Sequence, residues 1–103
     1  MGYNVLWTPD AQRDLDVAIY YLTETLGMSK AAARLLDDVE RLITTPRSFP
    51  ESHARVQDGL LAARDYRKAM VKPYVVLYLV DSSRQEVVIT NIVHGSRDYA
   101  HLL

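Results

Sequence analysis

Three consecutive β-prone runs at the C-terminal end constrain this chain most. They are Asp65 to Pro73, Tyr74 to Asp81 and Glu86 to His94, each dense in Val, Ile, Leu, Met or Tyr. Lys72-Pro73 and Ser82-Ser83-Arg84-Gln85 separate them and read as turns. The runs predict a three-stranded antiparallel meander followed by a polar tail, Gly95 to Tyr99. In the middle run, Tyr74, Val76, Tyr78 and Val80 share one face, and Val75, Leu77 and Leu79 share the other. Both faces are apolar, which predicts a central strand with helices covering one side. In the last run, simple alternation groups Val87, Ile89, Asn91 and Val93 against Val88, Thr90, Ile92 and His94. Asn91 then interrupts an apolar row and needs hydrogen-bond partners if it is buried.

The N-terminal part supplies the rest of a core. Tyr3 to Trp7 reads as a short first strand. Thr8-Pro9-Asp10 reads as a helix start: a capping hydroxyl, a proline suited to the first helical position, and an acid that complements the dipole. Ala11, Leu15, Ala18, Ile19, Leu22 and Leu26 follow with helical spacing. Gln12, Asp14, Asp16 and Glu24 form the opposite, solvated face, and Gly27 ends the helix. Ser29 reads as the cap of a second helix with the stripe Ala32, Leu35, Leu36, Val39, Leu42 and Ile43, stopped by Pro46. Residues 47–63 show no clear period, and Asp98 to Leu103 are compatible with a short terminal helix. The predicted fold class is α+β: an N-terminal strand, then an antiparallel helical hairpin on a mostly antiparallel sheet completed by the meander. The expectation is one domain over residues 1–103.

Charge and composition narrow the functional classes. The net charge is -1, with an acidic helical part and a weakly basic C-terminal part. Nucleic-acid binders normally present a stronger positive field, so only a local basic patch is compatible with that role. Cysteine is absent, which removes disulfides, thiol catalysis and thiolate metal sites. No apolar run reaches the roughly 20 residues of a membrane helix. The first residues do not look like a secretory signal, so a cytoplasmic protein is expected.

His94, Arg97 and Tyr99 lie within six residues. A histidine exchanges protons near neutral pH, an arginine grips a phosphate with two hydrogen bonds, and a phenol positions or donates a proton. That set suits phosphodiester cleavage. It equally suits a strand end, an Arg97–Asp98 pair and a tyrosine packed at the rim. Arg64, Arg67, Lys68 and Lys72 offer cations for a phosphate, but Arg67 and Lys68 point to opposite faces of a strand, and charge on an edge strand also discourages unwanted pairing. His53 and His101 have no ligand spacing to each other or to His94, so no metal and no cofactor are expected. There is neither a glycine-rich phosphate loop nor a nucleophile motif. Of Tyr20 and Tyr21, at least one should be partly exposed and available to a partner.

Strand, helical hairpin, meander and polar tail, in that order, resemble the toxins of the RelE/ParE superfamily, the growth-arresting halves of bacterial type II toxin–antitoxin pairs. The resemblance spans nearly the whole chain. It rests on Ala11-Gln12-Arg13-Asp14-Leu15-Asp16, Tyr20-Tyr21 and Gly27, then on Tyr74 to Asp81 and Ile92-Val93-His94-Gly95-Ser96-Arg97-Asp98. It implies a cognate antitoxin laid across the hairpin and sheet, a toxin–antitoxin hetero-oligomer, no membrane, and one of two targets. RelE-like members cut mRNA in the ribosomal decoding site; ParE-like members poison DNA gyrase. The nuclease branch would use Arg67, His94, Arg97 and Tyr99 as catalytic residues. Its middle-strand arginine is Val75 here, its late tail tyrosine falls near Leu103, and Tyr99 comes earlier. Those departures favour the ParE-like reading. The alternatives are a ribosome-dependent mRNA endonuclease and an inactive toxin fold that only binds its antitoxin.

Overall fold

The computed structural model describes residues 4–43 and 66–96. Strand β1 (Asn4–Trp7) opens the chain. Helix α1 (Pro9–Tyr20) follows and runs on as one π-helical turn, Tyr21–Thr25. Helix α2 is Ser29–Ile43. The meander is β2 (Arg67–Val71), β3 (Tyr74–Asp81) and β4 (Glu86–His94). These elements form one four-stranded sheet in the order β1-β4-β3-β2. Its β2–β3 and β3–β4 ladders are antiparallel, and β1 joins β4 in parallel. The readings at Tyr3, Pro46, residues 47–63, Arg64 and Arg97 to Leu103 lie outside the described residues.

The start of α1 is built by the chemistry its sequence advertises. Thr8 is extended, and its Oγ1 accepts the Ala11 N–H at 3.0 Å. Pro9 takes the first helical position, where no N–H is needed. The end of α1 differs from a plain helix. Leu26 N–H donates to Tyr21 O, one residue farther back than an α-helix requires. The wider turn rotates the residues after it, so Leu26 leaves the buried stripe and is 46% exposed. Gly27 closes the element at φ +64°, a left-handed conformation suited to glycine. Ser29 is the first residue of α2 rather than its cap. Met28 stands in the capping place, its carbonyl accepting the Ala32 N–H, and has no oxygen in its side chain to assist.

Helices cover one sheet face. Ala11, Leu15, Ala18 and Leu22 from α1 and Ala32, Leu35 and Val39 from α2 meet Ala69, Val71, Tyr74, Val76, Tyr78, Val87, Ile89 and Ile92. Val75, Leu77 and Val93 form a second buried cluster with Tyr66 on the opposite face. Strand β3 is therefore central and apolar on both sides, as its sequence predicts. Leu36, assigned to the buried stripe by spacing, is 45% exposed and lies at the outer junction of the two helices.

Strand β4 departs from simple alternation. Leu77 pairs with Asn91, but the next residue, Tyr78, pairs with Ile89. Thr90 is thus an extra residue, a β-bulge, and the strand changes phase there. Val87 and Ile89 point to the helices, and so does Ile92; Val93 points to the second face. The expected row of Val87, Ile89, Asn91 and Val93 is split in two. Asn91 is only half-buried, opposite Leu77.

Candidate functional site

The bulge places a group of polar contacts between the sheet and the first turns of α1. Strand β1 accompanies β4 only as far as the Trp7–Ile89 pair. Pro9 then diverts the chain into α1. Among the described residues no strand lies beside that flank of β4 beyond Ile89, and its backbone groups need other partners. Thr8 N–H donates to Ile89 O at 3.0 Å, and the Thr8 hydroxyl donates to Thr90 O at 3.0 Å. Ile92 N–H donates to the Asp14 carboxylate at 2.9 Å. Thr90 ties the bulge to β3 through its own hydroxyl, which donates to Leu77 O at 3.3 Å. Asp14 therefore does not belong to the solvated helix face that spacing assigns it. Helical spacing carries no sign of this contact, because its donor is 78 residues away.

The far end of β4 carries His94. It is exposed and stands opposite Tyr74, with the two rings edge to face and their centroids 5.6 Å apart. Ser96 N–H donates to His94 Nδ1 at 3.1 Å, and Ser96 Oγ lies 2.8 Å from the same nitrogen. Nδ1 is thus an acceptor, which places the proton of the neutral ring on Nε2. Gly95 N–H closes the strand end onto Pro73 O at 2.8 Å. A side chain at Gly95 would press on that carbonyl, since a Cβ there would sit 3.1 Å from it. Burial raises the Tyr74 phenol above its ordinary pKa, and the nearby Tyr21 phenol adds to the effect. The π turn, the start of β3 and the end of β4 thus meet at one end of the molecule.

Arg67 shares the helix-facing side of the sheet with His94 but lies two strands away and four residues farther along β3. It pairs with Tyr78, whereas His94 pairs with Tyr74, and β2 and β4 flank β3 on opposite sides. Strand rise and spacing put their Cα atoms roughly 16 Å apart. Burial pushes the Tyr78 phenol up to about 12, partly opposed by the Arg67 charge beside it. Lys68 pairs with Leu77 and so lies on the other face, and Lys72 is exposed in the turn before β3. Arg67 and His94 are therefore not brought together; Arg97 and Tyr99 lie outside the described residues. Val75, where a nuclease of the superfamily would carry an arginine, is 0% exposed.

Outside the sheet, α1 and α2 leave a groove of about 500 Å³. Leu15, Ile19, Tyr20 and Leu36 line it together with Asp16 and Glu24. Tyr20 and Tyr21 are both well exposed, more than the sequence requires.

Residues 5–99 match the family described as the ParE toxin of type II toxin–antitoxin system, parDE. The chain belongs to the ParE toxin family. No curated protein matches it in sequence. Among solved structures, this ParE-family chain resembles the toxin–antitoxin complex RelBE2 from Mycobacterium tuberculosis. That match has a TM-score of 0.65 at 24% identity and covers 91% of this chain and 99% of that one. The chromosomal ParDE system from P. aeruginosa also matches at 0.65, with 20% identity over 89% and 95% of the two chains. An archaeal RelE–RelB complex from Pyrococcus horikoshii matches at 0.56, with 17% identity over 94% and 99%. These likenesses show a common α+β fold: two helices on a four-stranded mixed sheet.

Proposed function

We propose that this ParE-family chain arrests growth by poisoning DNA gyrase and is held inactive by a cognate antitoxin. The observation that carries the choice of target is Val75. It is fully buried in an apolar cluster with Leu77 and Val93, at the position where the nuclease branch places a cation. Cleavage of a phosphodiester without a metal relies on preorganised charges converging on the transition state. Arg67 and His94 lie two strands and roughly 16 Å apart, and Lys68 faces the other way. That scatter supports binding to a protein target over cutting RNA. Partnership with an antitoxin is supported by the solved toxin–antitoxin complexes that share the fold and by the apolar groove along the hairpin. A partner segment folding onto such a surface would cover its exposed apolar side chains.

The test uses purified protein, gyrase, ATP and negatively supercoiled plasmid. Trapped cleavage complexes should release linear DNA after detergent and protease treatment. Cells expressing the toxin without antitoxin should mount an SOS response with their mRNA intact. Codon-positioned cuts in translated mRNA, abolished by Arg97→Ala, would transfer the function to the nuclease branch. Unchanged growth on expression without antitoxin would leave only the inactive binding fold.

A further inference from the structure

Side-chain burial sets the phase of the last residues of β4 but does not hold the flank of the strand that faces α1. In the observed phase, Ile92 faces the helices and Val93 the second face. A slip by one residue, removing the bulge, would exchange the two. It would also move Asn91 from its half-buried place opposite Leu77 to a place opposite Val76, which is 0% exposed, so burial favours the observed phase. The backbone on the flank that β1 has vacated has a separate need for partners. In the observed phase, Ile92 N–H points away from β3 to the flank that β1 has vacated, where Asp14 receives it at 2.9 Å. Thr90 O points to the same flank and meets the Thr8 hydroxyl. Beyond the Trp7–Ile89 pair these two side chains, rather than a neighbouring strand, meet the backbone of β4 on this flank.

We propose that Asp14, assisted by Thr8, is a positioning residue for the end of β4. It ties down the flank of the strand end that faces α1 and thereby sets how His94 is presented to a macromolecular target. Asp14 need not touch that target. The same helix carries Asp16, Ile19 and Tyr20 at the outer groove, so α1 connects that surface physically to the strand end. The functional half of this inference rests on the growth-arrest reading but not on the choice of gyrase.

The experiment compares the parent protein with Asp14→Ala, Asp14→Asn and Thr8→Val. Amide exchange at Ile92 and the ring-proton shifts of His94, which sense Tyr74, are read by NMR. Growth arrest in cells lacking the antitoxin is scored whatever the target. Asp14→Ala should speed Ile92 exchange at least about tenfold, equivalent to losing one stabilising contact. It should also move the His94 resonances and weaken arrest, while the signals of Val80 and Val87 stay in place. Asp14→Asn keeps a carbonyl acceptor and should restore most of the His94 shift and of the arrest. Rescue by the isostere separates positioning from a general need for acidic charge. Thr8→Val reports on the second contact should Asp14→Ala fail to fold. Unmoved His94 resonances in a folded Asp14→Ala protein would overturn the proposal, as would moved resonances with undiminished arrest. Absence of gyrase cleavage by the parent protein would count against the gyrase reading alone.

Discussion

The two halves of β4 are held by different means. From Glu86 to Ile89 the strand lies between β1 and β3, and both flanks are laddered. From Asn91 to His94 it keeps β3 on one side and meets Asp14 of α1 on the other, with Thr8 holding the bulge just before it. The first half is specified by repetition: paired backbones plus the burial of Val87 and Ile89, both 0% exposed. The second half depends on two polar side chains, Thr8 and Asp14, that come from another part of the chain. A strand can thus be rigidly placed where it is surrounded and conditionally placed where it outruns its neighbour.

The strongest challenge to this division, and to the proposed target, is Val75→Arg. Val75 pairs with Val93 in the second half, so a guanidinium there would sit in a closed apolar cluster. Burying an unpaired charge at such a site should cost about 3–5 kcal/mol, enough to unfold most of a small domain. Urea denaturation checks the stability, and mRNA cutting checks the chemistry. A folded Val75→Arg protein that cleaves translated mRNA would show that the buried valine is a replaceable part of a latent nuclease site.

Paired truncations test the division directly. Ile89→Ala, in the doubly laddered half, should cost about 4 kcal/mol, because its surroundings cannot collapse into the cavity. Ile92→Ala should cost about 2–3 kcal/mol, because the strand around it can relax once the side chain is shortened. Equal losses in chemical denaturation would mean that the second half is as firmly held as the first.

These contrasts mark where sequence reasoning succeeds. Thr8-Pro9-Asp10 announces α1 because cap chemistry is local: donor, acceptor and ring lie within four residues. The meander is legible for the same reason, with each run bounded by its own turn. At the second turn, Asp81 accepts the Ser83 hydroxyl and the Arg84 N–H, and Gln85 takes the left-handed conformation. The bulge at Thr90 is not legible. Simple alternation puts Asn91 in the helix-facing row, and nothing local announces that Thr90 is the extra residue that takes it out. The acid that meets the strand after the bulge, Asp14, looks like any exposed helical acid until the fold brings Ile92 to it. The π turn is hidden similarly, since Tyr20-Tyr21-Leu22 satisfies helical periodicity and only the Tyr21–Leu26 hydrogen bond reveals the wider loop. Of the candidate site, residue types were readable but convergence was not. Arg67 and His94 share a face by strand parity once the bulge is counted, yet the width of β3 and four residues along it keep them apart.

Tyr78 supplies a titration that reports on the better-held region, since it pairs with Ile89. Its folded-state pKa is raised from 10.0 to about 12 by burial. Ionisation therefore favours the unfolded chain. The contribution is fully present below pH 10 and is lost as pH rises toward 12. A shift of this size corresponds to a loss of about 2–3 kcal/mol across that window. Tyr74, also raised, pulls the same way. Denaturation at stepped alkaline pH should show the decline, and Tyr78→Phe should flatten most of it. An undiminished slope in Tyr78→Phe would place the titrating group elsewhere.

The smallest expected change is at His94 itself. The ring is exposed, and its edge-to-face contact with Tyr74 and its turn bond from Ser96 are both at the surface. His94→Ala should lower stability by less than about 1 kcal/mol. A residue that contributes little to folding can still matter to a target, and the two quantities separate cleanly here. If His94→Ala leaves denaturation nearly unchanged but weakens growth arrest, the end of β4 is a contact surface rather than a structural terminus. Should stability fall by several kcal/mol instead, the second half of β4 would have to be anchored from its tip, and the contacts from Thr8 and Asp14 would be secondary to that anchor.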